Sequence, residues 1–391
     1  MERIKSGKAY DAKTDDTNSR LFSGSLFGFF QTLFMAFAML IPTMYFSSLD
    51  ISIVMFAFLL SIGDVFSFMA KPVLGHLTDR HGERAFLMVG GLVFISCLFM
   101  IGQTTDILLI IIFKIVSGIA SALMFVTIFI YSLRFVSKEP DRKVGMFNGL
   151  SSLGWIIGFL IPGFFIDRFG ISSAFYLLLA AGLVWVLLIY KFANKKRSGD
   201  AAKPSFAFLK KTWKYIIFKT MDLAMFSAFV FFFARYALKT LGLSGSFVSL
   251  VVIAECVLFS ATNLVVGRVS NKRIRKYWLP LCIILHLAAA TLMVFGSELP
   301  HYFIVAMLIG TAGGLIDIWT FSRISEAFAA EEKGKVIGTL SWNNDLATIV
   351  AAQVPVLFIA LGLGTFTALY VFPLVMVATL FLIKIKHGKL G

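Results

Sequence analysis

Charged residues are scarce in this chain. Only 15% of its 391 residues are Asp, Glu, Lys or Arg, whereas 59% are hydrophobic, and the mean hydropathy is +0.88. A water-soluble domain cannot cover an ordinary surface with so few charges. We therefore expect lipid to be the solvent around most of the chain.

Patterns typical of catalytic and cofactor sites are missing as well. The three cysteines, Cys97, Cys256 and Cys282, lie in apolar stretches without the spacing of a disulfide framework or a metal site. The sequence has no glycine-rich loop for binding a nucleotide phosphate, and it has no serine motif or His/Asp cluster at bilayer depth. His76 and His81 flank a loop and lack zinc spacing. These absences predict no metal, no cofactor and no enzymatic activity.

Long apolar segments dominate the chain instead. A helix of about 20 apolar residues crosses the roughly 30 Å hydrocarbon core of a bilayer. The first segment is too long for the apolar region of a cleaved signal peptide, so we expect it to remain as a span. Breaks at charges, turn residues and prolines predict twelve spans: 24–46, 51–74, 85–102, 107–133, 145–166, 172–190, 216–238, 245–266, 277–296, 302–325, 336–361 and 365–383. The even number places both termini on one side.

Positive charge is distributed unevenly between the segments that join the spans. With both termini on the cytoplasmic side, the outer loops carry only Arg168 and Lys239 as basic residues, and every other Lys or Arg of a loop, with Lys71 counted among them, is on the inner side. This asymmetry predicts a multi-pass protein of the cell membrane with cytoplasmic N- and C-termini. The net charge of +15 then reflects topology and not binding to nucleic acid.

The chain also repeats itself weakly. Gly75 and Gly267 each precede a basic loop and lie 192 residues apart, and Gly118 and Gly310 have the same separation. The predicted organisation is an all-α integral membrane protein with twelve transmembrane helices in two pseudo-symmetric six-helix halves. We assign residues 1–193 to the first half, 194–214 to a cytoplasmic linker and 215–391 to the second half. Such repeats place a binding site between the halves, near the bilayer midplane.

The segment GHLTDRHGER between the second and third spans is the most specific motif in the chain. It resembles the signature of the major facilitator superfamily (MFS) for that loop. The matching residues are Gly75, Asp79, Arg80, Gly82 and Arg84. The resemblance implies the MFS fold and a role for this loop as a conformational latch, which holds helix ends together in one state of the transport cycle. An ordinary basic loop is the alternative interpretation.

Two further segments resemble the superfamily in part. FKIVSGIASA in span four has Lys114 at the position where the family usually has arginine, followed by Gly118. Lysine can lose a buried proton and arginine practically cannot, so this difference bears on coupling. In span five, the glycine-proline pair of the antiporter signature is replaced by Gly158 and Phe159, which leaves the subfamily open.

Charged side chains inside a bilayer are costly and usually face a protein interior. We predict that such residues carry coupling protons or line the substrate cavity, with Asp64, Glu255 and Asp345 nearest the midplane and Lys114 paired with Asp64. Static ion pairs between helices, such as Lys219 with Asp222, are the structural alternative. Polar and aromatic groups of the spans extend the candidate cavity, although aromatic residues in spans often simply pack. The full predicted set is Asp64, Lys114, Asp222, Glu255, Asp317, Asp345, Gln31, Trp319 and Asn343.

These features together predict a secondary active transporter. It would move a small organic solute by alternating access, with protons as the coupling ion and the lipid bilayer as its environment, and we expect a monomer. The acidic residues favour efflux of lipophilic or cationic compounds. Import of an organic anion or metabolite stays open because Lys114 and Arg235 also lie in spans. A membrane receptor or channel is the alternative of a different class.

Overall fold

A computed structural model describes residues 26, 28–81, 83–136, 140–192, 206–269, 272–296, 298–328 and 342–387. The helices in this part of the chain are α1 Gly28–Ser48, α2 Ile53–His81, α3 Glu83–Ile101, α4 Ile107–Val136, α5 Pro140–Phe169, α6 Ile171–Phe192, α7 Phe206–Lys239, α8 Gly245–Val269, the short α9 Lys272–Arg275, α10 Trp278–Phe295, α11 Leu299–Ala327, α12 Trp342–Ala360 and α13 Val371–His387, with a 3-10 turn at Thr365–Tyr370 before α13.

Each of the twelve predicted spans overlaps one of these long helices, so the all-α membrane fold is confirmed. Within the described residues, eleven helical segments are long and apolar enough to cross a bilayer, and α4 adds the shorter apolar segment Ile107–Leu123. The largest difference between a predicted span and the observed helix is in α7, which begins at Phe206. The predicted linker 194–214 therefore ends in helix, and its residues 194–205 lie outside the described part.

The bundle has two ends. The basic end carries the C-terminus of α2. The other end, which we call the opposite end, carries the α1–α2 connection and the α7–α8 connection. At the opposite end, Gly170 ends α5 with a φ of +84° and Gly242 follows α7 with a φ of +62°. Only glycine adopts this left-handed conformation without strain, which explains the sharp turns at these two positions.

The two halves pack through equivalent pairs of helices. Inside the first half α2 packs on α4, and inside the second half α8 packs on α11. Between the halves, α5 packs on α8 and α12 packs on α2. Corresponding helices of the two halves thus make corresponding contacts, as in two six-helix repeats related by a pseudo-two-fold axis.

Glycine makes the two internal contacts close. A Cβ on Gly118 of α4 would collide with the backbone carbonyl of Gly63 on α2, and a Cβ on Gly310 of α11 would collide with that of Glu255 on α8. Residues 63 and 255 are 192 apart, as are residues 118 and 310. In lipid, helices associate through such close packing because the surrounding chains are as apolar as the side chains. The glycine pair of the sequence repeat therefore marks the same packing site in both halves.

We expect Gly118→Leu to destabilise the protein by about 1–3 kcal/mol, the usual cost of overpacking a tight core. The added side chain has to push α4 away from α2. The midpoint of thermal unfolding in detergent measures this effect. Gly364→Ala is the matched control, because its Cβ would meet only the Thr367 hydroxyl at 3.4 Å, and it should leave the midpoint unchanged. Equal midpoints for both variants would contradict the packing argument.

Candidate functional site

A cavity of about 470 Å³ lies between the two halves. Helices α1, α2, α4 and α5 line it from the first half, and α7, α8, α11 and α12 line it from the second half. Phe94 and Leu98 of α3 complete the wall. Among the described residues, α6, α10 and α13 contribute nothing to it. The predicted spans six, nine and twelve contain no Asp, Glu, Lys or Arg.

Six of the nine predicted cavity residues line this space. They are Gln31, Asp64, Lys114, Asp222, Glu255 and Asp345. They come from α1, α2, α4, α7, α8 and α12, so the fold brings together side chains that are up to 314 positions apart in the sequence. The cavity is the place where a transported solute can meet both halves at once.

The rest of the wall is largely apolar and aromatic. Trp155 and Phe159 of α5 stack with ring centroids 5.4 Å apart, and Phe226 of α7 meets Phe159 edge-on at 6.3 Å. This aromatic row crosses from one half to the other. All three rings are thus on the wall.

Three predicted residues lie elsewhere. Trp319 packs in a separate core against Tyr215 and Phe218, with centroids 5.7 and 5.5 Å away. Asn343 is 1% exposed and turned away from the cavity, whereas its neighbour Asn344 lines it. Asp317 does not line the cavity, but its carboxylate forms an ion pair with Lys219, which does. A helical register places adjacent residues on different faces, and the sequence alone does not give the register.

Lys71 and Asp345 form an ion pair between the halves. The ammonium of Lys71 on α2 lies 2.6 Å from the Asp345 carboxylate on α12, and Ser67 donates a hydrogen bond to Asp345 at 3.2 Å. Lys71 is fully buried. Its assignment to a cytoplasmic loop was wrong, although the predicted span 51–74 already included it. Asp345 lies in the first turn of the described part of α12 and not near the middle of the helix.

Asp64 and Lys114 share the cavity wall near Gly63. The Lys114 ammonium lies 3.6 Å from the point that a Cβ on Gly63 would occupy, one residue away from Asp64. Among the described side chains, no ion pair within 4.0 Å joins Lys114 to a carboxylate. The predicted Lys114–Asp64 pair is therefore not a direct contact in this conformation.

A second ionic cluster lies in the other half. Lys219 of α7 bridges two carboxylates, Asp222 at 3.1 Å and Asp317 of α11 at 2.7 Å. The suggested Lys219–Asp222 pair is present, and it includes a third member from another helix. On its other side, Asp222 faces the ring of His286 on α10 at 3.5 Å.

Glu255 stands apart from these pairs. It lies on the cavity wall of α8, is 6% exposed, and has no ion-pair partner within the described part of the chain. Gly310 packs directly on its backbone, so the position of this carboxylate is set by a tight helix contact. A buried carboxylate without a counter-ion is stable only when it binds a proton or a cation.

Sequence reasoning missed Lys71, Cys282 and His286 as parts of charged clusters. Asp222, Cys282 and His286 have ligand atoms within 4.8 Å of one another, all buried. Cys282 and His286 are four residues apart, a spacing that puts both on one helix face. That spacing was visible in the sequence, but the approach of Asp222 from α7 was not.

The opposite end of the bundle is closed by polar contacts between the halves. Arg235 of α7 donates a hydrogen bond at 2.7 Å to the carbonyl of Ile51, and Lys239 lies 3.6 Å from Asp50. Asp167 at the end of α5 accepts hydrogen bonds from the first backbone N–H groups of α8, at Gly245 and Ser246, both at 2.8 Å.

We expect Asp167→Ala to weaken this closure and to cost about 1 kcal/mol, as the loss of a helix cap usually does. Asp106→Ala is the matched control, because Asp106 caps α4 at Leu108 inside a single half. Both variants should unfold at a slightly lower temperature, but only Asp167→Ala should speed alkylation of the cavity residue Cys256 by a membrane-impermeant reagent applied from the opposite end. Equal alkylation rates for the two variants would contradict a role of Asp167 in closing the halves.

The predicted latch loop is mostly helical. Helix α2 continues through Gly75, Asp79 and Arg80 to His81, whose side chains are not described, and Gly82 lies outside the described residues. The guanidinium of Arg84 lies 4.2 Å from the ring centroid of Tyr190 at the end of α6. The latch function itself stays a prediction.

Residues 21–352 match the model of the Major Facilitator Superfamily. The chain belongs to this superfamily. It is thus a multi-pass transport protein of a membrane, and the resemblance stated from Gly75–Arg84 is confirmed.

Two relatives come from Bacillus subtilis (strain 168). The chain is 27% identical to the multidrug transporter protein MdtP over 166 residues, which cover 38% of this chain and 31% of MdtP. It is 24% identical to multidrug resistance protein 1 over 209 residues, which cover 50% of this chain and 53% of that protein. In both cases the match covers less than two thirds of the relative's length.

The fold is also that of a solved transporter. The nucleoside transporter NupG, crystallised as a single-residue mutant, superposes with a TM-score of 0.72 over 94% of this chain and 100% of its own, at 12% sequence identity. At this identity the likeness shows the shared MFS fold alone.

Proposed function

We propose that this MFS protein exports lipophilic organic cations in exchange for protons. The observation that carries the proposal is the charge of the cavity region: Asp64, Asp222, Glu255, Asp317 and Asp345 supply five carboxylates, against three ammonium groups of Lys71, Lys114 and Lys219. The two excess negative charges need either protons or a cationic solute, and an exchanger supplies these alternately.

The apolar part of the wall fits the same class of solute. Aromatic faces such as those of Trp155 and Phe226 attract organic cations and bury their hydrocarbon groups. The names of the two B. subtilis relatives, both described as multidrug proteins, support export. In this proposal the chain acts as a monomer in the cell membrane with both termini in the cytoplasm, and it has no enzymatic activity.

An organic-anion importer is the second candidate. Lys114 favours it, because its ammonium lies on the cavity wall without a carboxylate within 4.0 Å in the described residues. An anionic solute would provide the missing counter-charge.

Purified protein in liposomes that contain a pH-sensitive dye tests both candidates. Lipophilic cations, organic anions and neutral sugars are added in turn to vesicles with an imposed pH gradient. The proposal expects dissipation of the gradient by the cations alone, and dissipation by the anions alone would replace it with the importer. No pH change with any compound, from protein shown to be folded by its unfolding midpoint, would overturn proton coupling.

A further inference from the structure

His286 is buried and does not line the cavity. It lies on α10, which contributes no residue to the cavity wall, and both its side chain and that of Cys282 are fully buried. Fully buried histidines in a membrane interior need a partner for each ring nitrogen. The partners of this ring determine which protons it holds.

The shortest contact of the His286 ring favours the tautomer with a proton on Nδ1. This atom lies 3.0 Å from the backbone carbonyl oxygen of Cys282, which only accepts hydrogen bonds, and 3.4 Å from the weaker donor, the Cys282 thiol. The N–H of Nδ1 therefore donates to Cys282. In the neutral ring the other nitrogen, Nε2, is then left with a lone pair.

The nearest charged group to Nε2 is a carboxylate. Nε2 lies 3.5 Å from Oδ1 of Asp222 and has no hydrogen-bond partner. Two acceptors facing each other in a dry site repel, and the arrangement becomes favourable when one proton lies between them. Either the ring is then an imidazolium or Asp222 is a carboxylic acid, and both descriptions contain the same single proton.

We propose that His286 and Asp222 together form a proton-binding site, shared between Nε2 and Oδ1, whose proton is one of those exchanged for the solute. The inference rests on the proposed function and adds His286 to it. Because Asp222 is on the cavity wall, a cation bound there would compete for the carboxylate and drive the proton out.

Neighbouring charges agree with one bound proton. Lys219 and Asp317 neutralise each other next to Asp222, which leaves Asp222 itself for the proton. Glu255 lines the same cavity from α8, and in its ionised form it favours retention of a proton on Asp222 and His286. The thiol of Cys282 lies 3.4 Å from Nδ1. On α13, the charged side chains of the described part are confined to its last turn at the basic end.

A metal ion is the competing occupant, since Asp222, Cys282 and His286 can each supply a ligand atom. The ring geometry disfavours it. The Cys282 sulfur is next to Nδ1, which is already used by the carbonyl, whereas Asp222 is at Nε2 on the other edge of the ring. Because the lone pairs of the two ring nitrogens diverge, an ion at one nitrogen is directed away from the protein ligand that lies beside the other.

Proton release on substrate binding tests the site. Unbuffered protein in detergent is mixed with a lipophilic cation that the wild type transports, and the released protons are counted with a pH indicator. His286→Gln should release about one proton fewer than wild type, and its cation affinity should depend less steeply on pH in the neutral range. Cys282→Ala should behave as wild type.

Exchange of cation for cation across vesicles, without a pH gradient, shows that each variant folds. We expect His286→Gln to retain this exchange and to lose accumulation driven by the gradient. If His286→Gln cannot exchange cations, Asp222→Glu takes its place in the release assay. This variant keeps the carboxylate, and it should bind the proton only when His286 is present. Release by His286→Gln equal to wild type would overturn the inference while leaving proton-coupled export standing.

A metal ion bound at this site would give a different result. One equivalent of zinc retained by the wild type after purification and lost in Cys282→Ala would overturn the proton site in favour of a metal site. No pH change from the wild type itself would instead overturn the proposed function.

Discussion

Glu255→Gln will abolish the export of a lipophilic cation driven by a pH gradient. Glutamine keeps the size and the hydrogen-bonding capacity of glutamate but neither binds a proton nor attracts a cation. Because Glu255 is buried on the cavity wall and has no ion-pair partner in the described structure, its charge must be balanced by a proton or the solute. We expect the initial rate in liposomes to fall at least about tenfold, a loss of roughly 1.4 kcal/mol or more.

The control for this variant is Glu298→Gln. Glu298 is an exposed residue that precedes α11, and glutamine can replace it there as a capping group. Its transport rate should equal that of wild type. Asp64→Asn serves as a second test of the same idea on the first half. If Asp64→Asn and Glu255→Gln both transport at the wild-type rate under a pH gradient, neither carboxylate carries the coupling proton.

The second large effect is on stability, at the buried pair between α2 and α12. Lys71→Met should destabilise the protein by about 3–5 kcal/mol, since it leaves the Asp345 carboxylate buried and uncompensated. The double variant Lys71→Met with Asp345→Leu should recover most of that loss, because two apolar residues of similar size replace a pair that is costly to desolvate. Thermal unfolding of the two single variants and the double variant gives the coupling energy.

Lys239→Met is the control for this cycle. Its ion pair with Asp50 also joins the halves, but both side chains are at the surface, and such a pair contributes about 1 kcal/mol or less. We expect little change in its unfolding midpoint. A double variant at residues 71 and 345 that is no more stable than Lys71→Met alone would show that the pair has a role beyond charge compensation.

The helices and the main charged residues of the cavity wall could be predicted from the sequence because they depend on local properties. Apolar length identifies a span, and the cost of a charge in lipid identifies Asp64, Asp222 and Glu255 as residues of the interior. Pairing could not be predicted. Lys71 was assigned to a loop because its partner Asp345 is on α12, far away in the sequence. Trp319 and Asn343 could be placed only with the helical register, which composition does not supply. The cluster of His286 with Asp222 depends on how α7 and α10 both pack on α11, which brings together distant segments of the chain.

The tight glycine contacts have an evolutionary consequence. Gly118 against α2 and Gly310 against α8 hold each half together as a unit, through backbone contacts that adjoin the cavity wall at Gly63 and Glu255. Mutations at these two glycines should be eliminated by selection in the same way, because each pushes apart an equivalent pair of helices. Substitutions of the other side chains on the cavity wall leave those backbone contacts intact. A lineage of such proteins can therefore change its spectrum of solutes without altering the parts that move.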